Sequence, residues 1–179
     1  MADVRIRIDD QSVRDYLQTH GPRKVHNALR SAIRTTTTWS EKETDRRLAA
    51  ETAIPIQVFR RFRVKKKLFG GSAASGFGGG GSVESGLIWS GYNPVKARFV
   101  GKLAQDEGGA SAGAYYFGGA FVASMRGGLT AIFKRRGKKR LPIDEQKVNI
   151  HQAEAIAAAV AGEAEQELLR RFRAKFTES

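Results

Sequence analysis

Two stretches of this 179-residue chain hold side chains suited to a charged partner. Residues 60–67 (RRFRVKKK) supply Arg60, Arg61, Arg63, Lys65, Lys66 and Lys67. Residues 134–140 (KRRGKKR) supply Lys134, Arg135, Arg136, Lys138, Lys139 and Arg140. Neither run contains an acid. Basic residues grouped in this way bind polyanions by releasing condensed counterions, and they contact phosphates rather than base edges. The same runs also suit an acidic protein surface. Phe62 is the one aromatic inside either run, which argues against a single-strand binder that works by base stacking.

Side chains for catalysis are not grouped in this way. The histidines are His20 beside Gly21-Pro22, His26 off the apolar stripe of a long helical pattern, and His151 near the start of a second one. None stands in a metal-ligand motif. Asp9-Asp10 and Asp144-Glu145 are adjacent carboxylates, but adjacency does not set an acid and a base across a substrate. Solvated turns are the expectation for both. No G-x-S-x-G elbow, H-E-x-x-H helix or dinucleotide fingerprint occurs. Residues 70–81 (GGSAASGFGGGG) contain seven glycines, yet lack the lysine and hydroxyl of a phosphate-cradling loop. They read as a flexible loop that becomes ordered against a partner. The expectation is therefore no enzyme, no metal and no cofactor.

Lys plus Arg number 31 and Asp plus Glu 18, a formal net charge of +13. The two runs supply +12 of it, leaving +1 on the other 164 residues. The charge belongs to two short runs rather than to a general bias. Hydrophobic residues at 41% support a core. The absence of cysteine excludes a disulfide framework, a thiolate metal site and a Cys nucleophile. No apolar stretch approaches the length of a membrane-crossing helix, and MADVRIRIDD has no secretory pattern. These features predict one soluble, intracellularly made basic domain over 1–179.

The runs must be positioned by the elements around them. Val4, Ile6 and Ile8 alternate with charged neighbours and predict a short strand over 3–8. From Pro22 to residue 52, Val25, Ala28, Leu29, Ala32, Ile33, Thr36 and Trp39 form one helical stripe. The four threonines at 35–38 are poor helix formers, and a bend is expected near them. Ile54-Pro55 ends the pattern, and a second short helix follows with Ile56, Phe59 and Phe62 inward and Arg60, Arg61 and Arg63 outward. Residues 95–103 alternate Val95, Ala97, Phe99 and Leu103 against Lys96, Arg98 and Lys102, predicting a strand. A polar connection over 105–113 follows. Residues 114–125 and 129–134 predict a hairpin around Arg126-Gly127-Gly128. An extended piece begins at Leu141-Pro142-Ile143, its proline suiting an edge position. Ile156, Val160, Ala164, Leu168, Phe172 and Phe176 define a closing helix over about 151–175. The predicted fold class is α+β, with long N- and C-terminal helices packed on a central antiparallel β-sheet.

Residues 114–150 resemble the central block of the phage minor tail protein Z family. The matching features are Phe121-Val122, Gly127-Gly128, Ile132-Phe133, Arg135, Gly137-Lys138 and Arg140-Leu141-Pro142-Ile143. The N-terminal part is similar to the family as well, through Ala28-Leu29-Arg30, then Glu51-Thr52-Ala53-Ile54-Pro55, then Arg61-Phe62-Arg63-Val64-Lys65. The Ala-rich closing helix extends the resemblance over most of the chain. The glycine tract departs from the pattern as an expanded loop.

The resemblance implies a non-enzymatic virion protein, assembled in the bacterial host cytoplasm, that completes a long non-contractile tail and joins it to the DNA-filled head. It implies a ring, expected to be a hexamer, in the neck or upper tail. Its partners would be other copies of itself, the tail terminator or upper tail tube protein, and the head-completion (connector) protein. Double-stranded DNA would be contacted without sequence specificity, and no membrane is involved. The two basic runs are the candidate contact residues for DNA or an acidic partner. The alternative from charge alone is a free basic nucleic-acid-binding protein, associated with the nucleoid or the ribosome.

Overall fold

The apolar stripe that begins at Val25 forms α1, Pro22–Thr52. This helix runs unbroken through the threonine cluster, where a bend was expected. Three of the four hydroxyls find a local acceptor instead of competing for the backbone, while the buried Thr36 hydroxyl has no partner among the described residues. Thr35, Thr37 and Thr38 donate to the carbonyls of Ser31, Ile33 and Arg34 at 2.9, 2.7 and 3.0 Å. Such back-bonding to the preceding turn is compatible with a continuous helix. The helix ends where Ala53 takes a positive φ of 50°, the left-handed conformation of many helix C-termini. Pro55 then blocks continuation, and α2 follows at Ile56–Phe62.

The structure is a computed structural model that describes residues 15, 18–62, 64–69, 85–91, 93–125 and 127–177. The strand expected over 3–8, Asp9-Asp10, the glycine tract 70–81, Arg63 and Arg126 lie outside the described residues. The strands are β1 Val64–Phe69, β2 Ser85–Ser90, β3 Val95–Lys96, β4 Leu103–Gln105, β5 Gly109–Ala112, β6 Tyr115–Gly118 and β7 Ala120–Met125. They continue with β8 Leu129–Arg135, β9 Ile143–Glu145 and β10 Lys147–Val148, and α3 Ala153–Thr177 closes the chain. The fold class is α+β. Among the described residues all strand pairs are antiparallel, and they divide among four small sheets ordered β1-β2, β10-β3, β4-β5-β6 and β7-β8-β9.

The chain gathers into two compact units. Unit 1 comprises residues 1–45, 64–90 and 154–179; unit 2 comprises 46–63 and 91–153. In unit 1, Val25, Ala28 and Ala32 of α1 bury against Leu168 and Phe172 of α3, with Leu29, Ile33 and Phe176 packed around them. His20 stacks on Phe176 at 4.7 Å, so this histidine is a packing element of the helical core. The β1-β2 ribbon lies on α1 at Gly86, where an added Cβ would collide with the Thr37 side chain. Close approach requires glycine there.

In unit 2, β8 is the central strand of its sheet, and Ala131, Ile132 and Phe133 are buried in succession. Consecutive burial means both sheet faces are covered at that level. The hairpin expected around residues 126–128 forms, with Met125 opposite Leu129. The strand expected over 114–125 is cut at Gly119, whose φ of +67° sends β6 and β7 into different sheets. The polar connection expected over 105–113 contains β5, with Gly109, Ala110 and Ala112 buried at the centre of a three-stranded sheet. Small residues there carry little strand propensity. Asp106 closes the turn into β5, accepting from the backbone N–H groups of Gly108 and Gly109 at 2.8 and 2.7 Å and from the Tyr116 hydroxyl at 2.9 Å. Those bonds, the tyrosine's first, hold its carboxyl below the ordinary range.

Candidate polyanion-binding surface

The first basic run is divided between the units. Arg60 and Arg61 are exposed in the last turn of α2, behind the buried Val58 and Phe59 that anchor it. They belong to unit 2. At Val64 the chain enters unit 1, and Lys65, Lys66 and Lys67 lie exposed on β1. Period-2 alternation puts Lys66 on the opposite face from Lys65 and Lys67. Lys66 meets Glu41 at 2.8 Å and the Thr38 hydroxyl at 3.4 Å, so part of this run stitches β1 to α1.

The second run stays together. Lys134 and Arg135 end β8 opposite Asp144 and Ile143 of β9. The Arg136 N–H donates to the Pro142 carbonyl at 3.2 Å, and its guanidinium forks onto Asp144 at 2.6 and 2.8 Å. Paired donors in this geometry fix orientation as well as charge. The fork holds the Asp144 carboxyl below its ordinary range and pushes the Arg136 guanidinium up. Arg136 is therefore a clasp closing the turn. The turn itself presents Lys138, Lys139 and Arg140, all exposed, and Leu141 at 65% exposure. Behind it, the Arg135 guanidinium lies 5.5 Å from the Phe121 ring centre.

Asp144 and Glu145 are strand residues rather than solvated turn carboxylates. Glu145 reaches Lys96 at 2.8 Å and Arg98 at 3.4 Å. The strand expected over 95–103 is also corrected. After β3, residues Ala97–Phe99 form a single 3₁₀ turn. Three residues per turn break the two-residue alternation. The Arg98 side chain is consequently only 18% exposed and Phe99 38%, an inversion of the expected inward and outward sides.

Charge follows the units. Unit 2 contains 16 Lys and Arg against 5 Asp and Glu, a net +11. Unit 1 contains 15 against 13, a net +2. Nine of the twelve run cations fall in unit 2, where Lys96, Arg98, Lys102 and Lys147 add to them. Those four are scattered in sequence, and run-counting gave no signal for them as site residues. Among the described residues, no group of three or more His, Asp or Glu is placed to hold a metal ion. No helix there is long and apolar enough to cross a membrane.

Comparison with family models, curated proteins and solved structures finds no match to this chain.

Proposed function

We propose that this protein is a structural subunit of a phage neck or upper tail. It completes a long non-contractile tail and joins it to the filled head as a member of a ring, expected to be hexameric. The neighbours are the tail terminator or upper tube on one side and the head-completion ring on the other. The protein performs no chemistry; its unit 2 presents cations to a polyanion, the genome end, without reading sequence. One observation carries the reading. The central block of the family resemblance, 114–150, falls wholly inside the unit that holds +11 of the +13 charge.

The test is a virion carrying Lys138→Gln, Lys139→Gln and Arg140→Gln in this protein. Expected are unjoined heads and tails, or particles that lose DNA, counted by electron microscopy. Normal joining, DNA retention and infectivity would overturn the proposal. A second reading, a free nucleic-acid binder, is favoured by the exposure of the 138–140 turn, which needs no neighbour in order to meet a phosphate backbone. Strong retardation of DNA by isolated monomer at physiological salt, with no protein retained in virions, supports that reading.

A further inference from the structure

We propose that unit 2 carries a docking pocket for an acidic protein segment with one large apolar anchor. The cavity holds about 210 Å³ and is walled by Val58 and Phe62 of α2 and by Pro94 and Phe99. Lys96 and Lys147 also line it. Its volume lies below the roughly 300–1,000 Å³ that encloses a drug-sized ligand, and suits a single side chain. This inference stands on unit 2 alone and does not depend on the neck reading.

Three observations name the occupant's chemistry. Phe99 leaves 38% of its surface uncovered beside an apolar wall, the arrangement of a pocket that receives an anchor residue at an interface. Lys96 and Lys147 are direct cross-strand partners in the β3-β10 pair. Glu145 already neutralises Lys96, so the cation this pair offers to an arriving acid is the exposed Lys147. Glu145 divides between Lys96 and Arg98, while Asp144 is clasped by Arg136. The local carboxylates are thus committed, and the lining remains cationic within a unit of net +11.

The rings argue against nucleic acid as the occupant. Phe62 and Phe99 are tilted onto each other at 5.1 Å. The Arg61 guanidinium lies 5.1 Å from the first ring's centre and the Arg98 guanidinium 4.7 Å from the second's. At their 5.1 Å separation no base fits between the two rings, and a guanidinium already lies over each. Duplex DNA keeps its bases stacked, and its thymine methyls line the groove rather than project into a concave cavity. An acidic peptide supplies both halves of the match, apolar anchor and anionic flanks.

The experiment titrates the full-length protein with three fluorescent ten-residue peptides: one phenylalanine among glutamates, glutamates alone, and one phenylalanine among serines. The first should bind at least tenfold tighter than either control. Phe99→Ala and Lys147→Glu, both at exposed positions, should each weaken it about tenfold or more. Equal binding of the all-glutamate peptide would reduce the site to bulk charge and overturn the proposal. So would affinity unchanged in Lys147→Glu, a surface change that also serves if Phe99→Ala fails to fold. A ten-nucleotide oligo-dT that binds more tightly than the first peptide and is lost in Phe99→Ala would assign the pocket to unpaired bases, again overturning it.

Discussion

Unit 1 and unit 2 are built from the same chain but use charge in opposite ways. Unit 1 spends its 13 carboxylates on near-balance with 15 basic residues across 98 positions. Its pairs hold elements together. Lys66 ties β1 to α1 through Glu41, and Glu167 accepts from both Arg170 and Arg171 along α3. Unit 2 has five carboxylates across 81 positions. Three of them, Asp106, Asp144 and Glu145, brace turns or neighbouring cations of the unit itself. Lys138, Lys139 and Arg140 stay exposed at the surface. Unit 1 thus has the character of a helical scaffold and unit 2 that of a strongly cationic unit.

Three outcomes would break or sharpen that contrast. The largest concerns the scaffold. Phe172 is nearly fully buried in the α1–α3 core, edge-on to Phe176 at 5.2 Å. Phe172→Ala should cost about 3–5 kcal/mol through lost burial and a residual cavity, read as a lowered urea midpoint. A loss below about 1 kcal/mol would mean the helix pair is not the scaffold's core.

The next compares the two lysine-rich stretches directly, using random-sequence duplex DNA and fluorescence anisotropy. Replacing Lys138, Lys139 and Arg140 with Gln should lower affinity about tenfold or more and reduce the log–log salt slope by about 3, roughly one per lost phosphate contact. The matching triple Gln variant at Lys65, Lys66 and Lys67 should change both less, because Lys66 serves Glu41 in the scaffold. Equal losses would erase the functional distinction between the units.

The smallest effect is the pH dependence contributed by one carboxyl of unit 1. The Arg170 fork, then the Arg171 bond, holds the Glu167 carboxyl at about 2, below its ordinary 4.5. A carboxyl depressed by folding stabilises above its unfolded pKa, and the contribution is lost as pH falls through the folded one. Stability from Glu167 is therefore fully present above about pH 4.5 and disappears toward pH 2. The difference in melting temperature between wild type and Glu167→Gln should narrow across that window. A constant difference would show that the fork does not couple to folding.

Much of the helical scaffold was legible from spacing alone. The four-residue steps Ile156, Val160, Ala164, Leu168 and Phe172 are the buried stripe of α3, because an amphipathic helix writes its core face locally. The threonine cluster misled, since propensity lists the cost of β-branching but not the hydroxyl bonds that Thr35, Thr37 and Thr38 make to the preceding turn. Strand β5 was invisible for a similar reason. Its Gly-Ala-Ser-Ala sequence carries no strand signature, and only its neighbours β4 and β6 make it one.

By itself the sequence determined the helices, the β7-β8 hairpin, the two basic runs and the chain's net +13, for these depend on residues near one another in the chain. Tertiary structure decided that the run at 60–67 belongs to both units, that Asp144 takes Arg136 out of the second run as a clasp, and that Arg98 is more covered than Phe99. It also brought Phe62 and Phe99 together from 37 positions apart. Each of these depends on which distant strand pairs with which, and no local periodicity encodes that pairing.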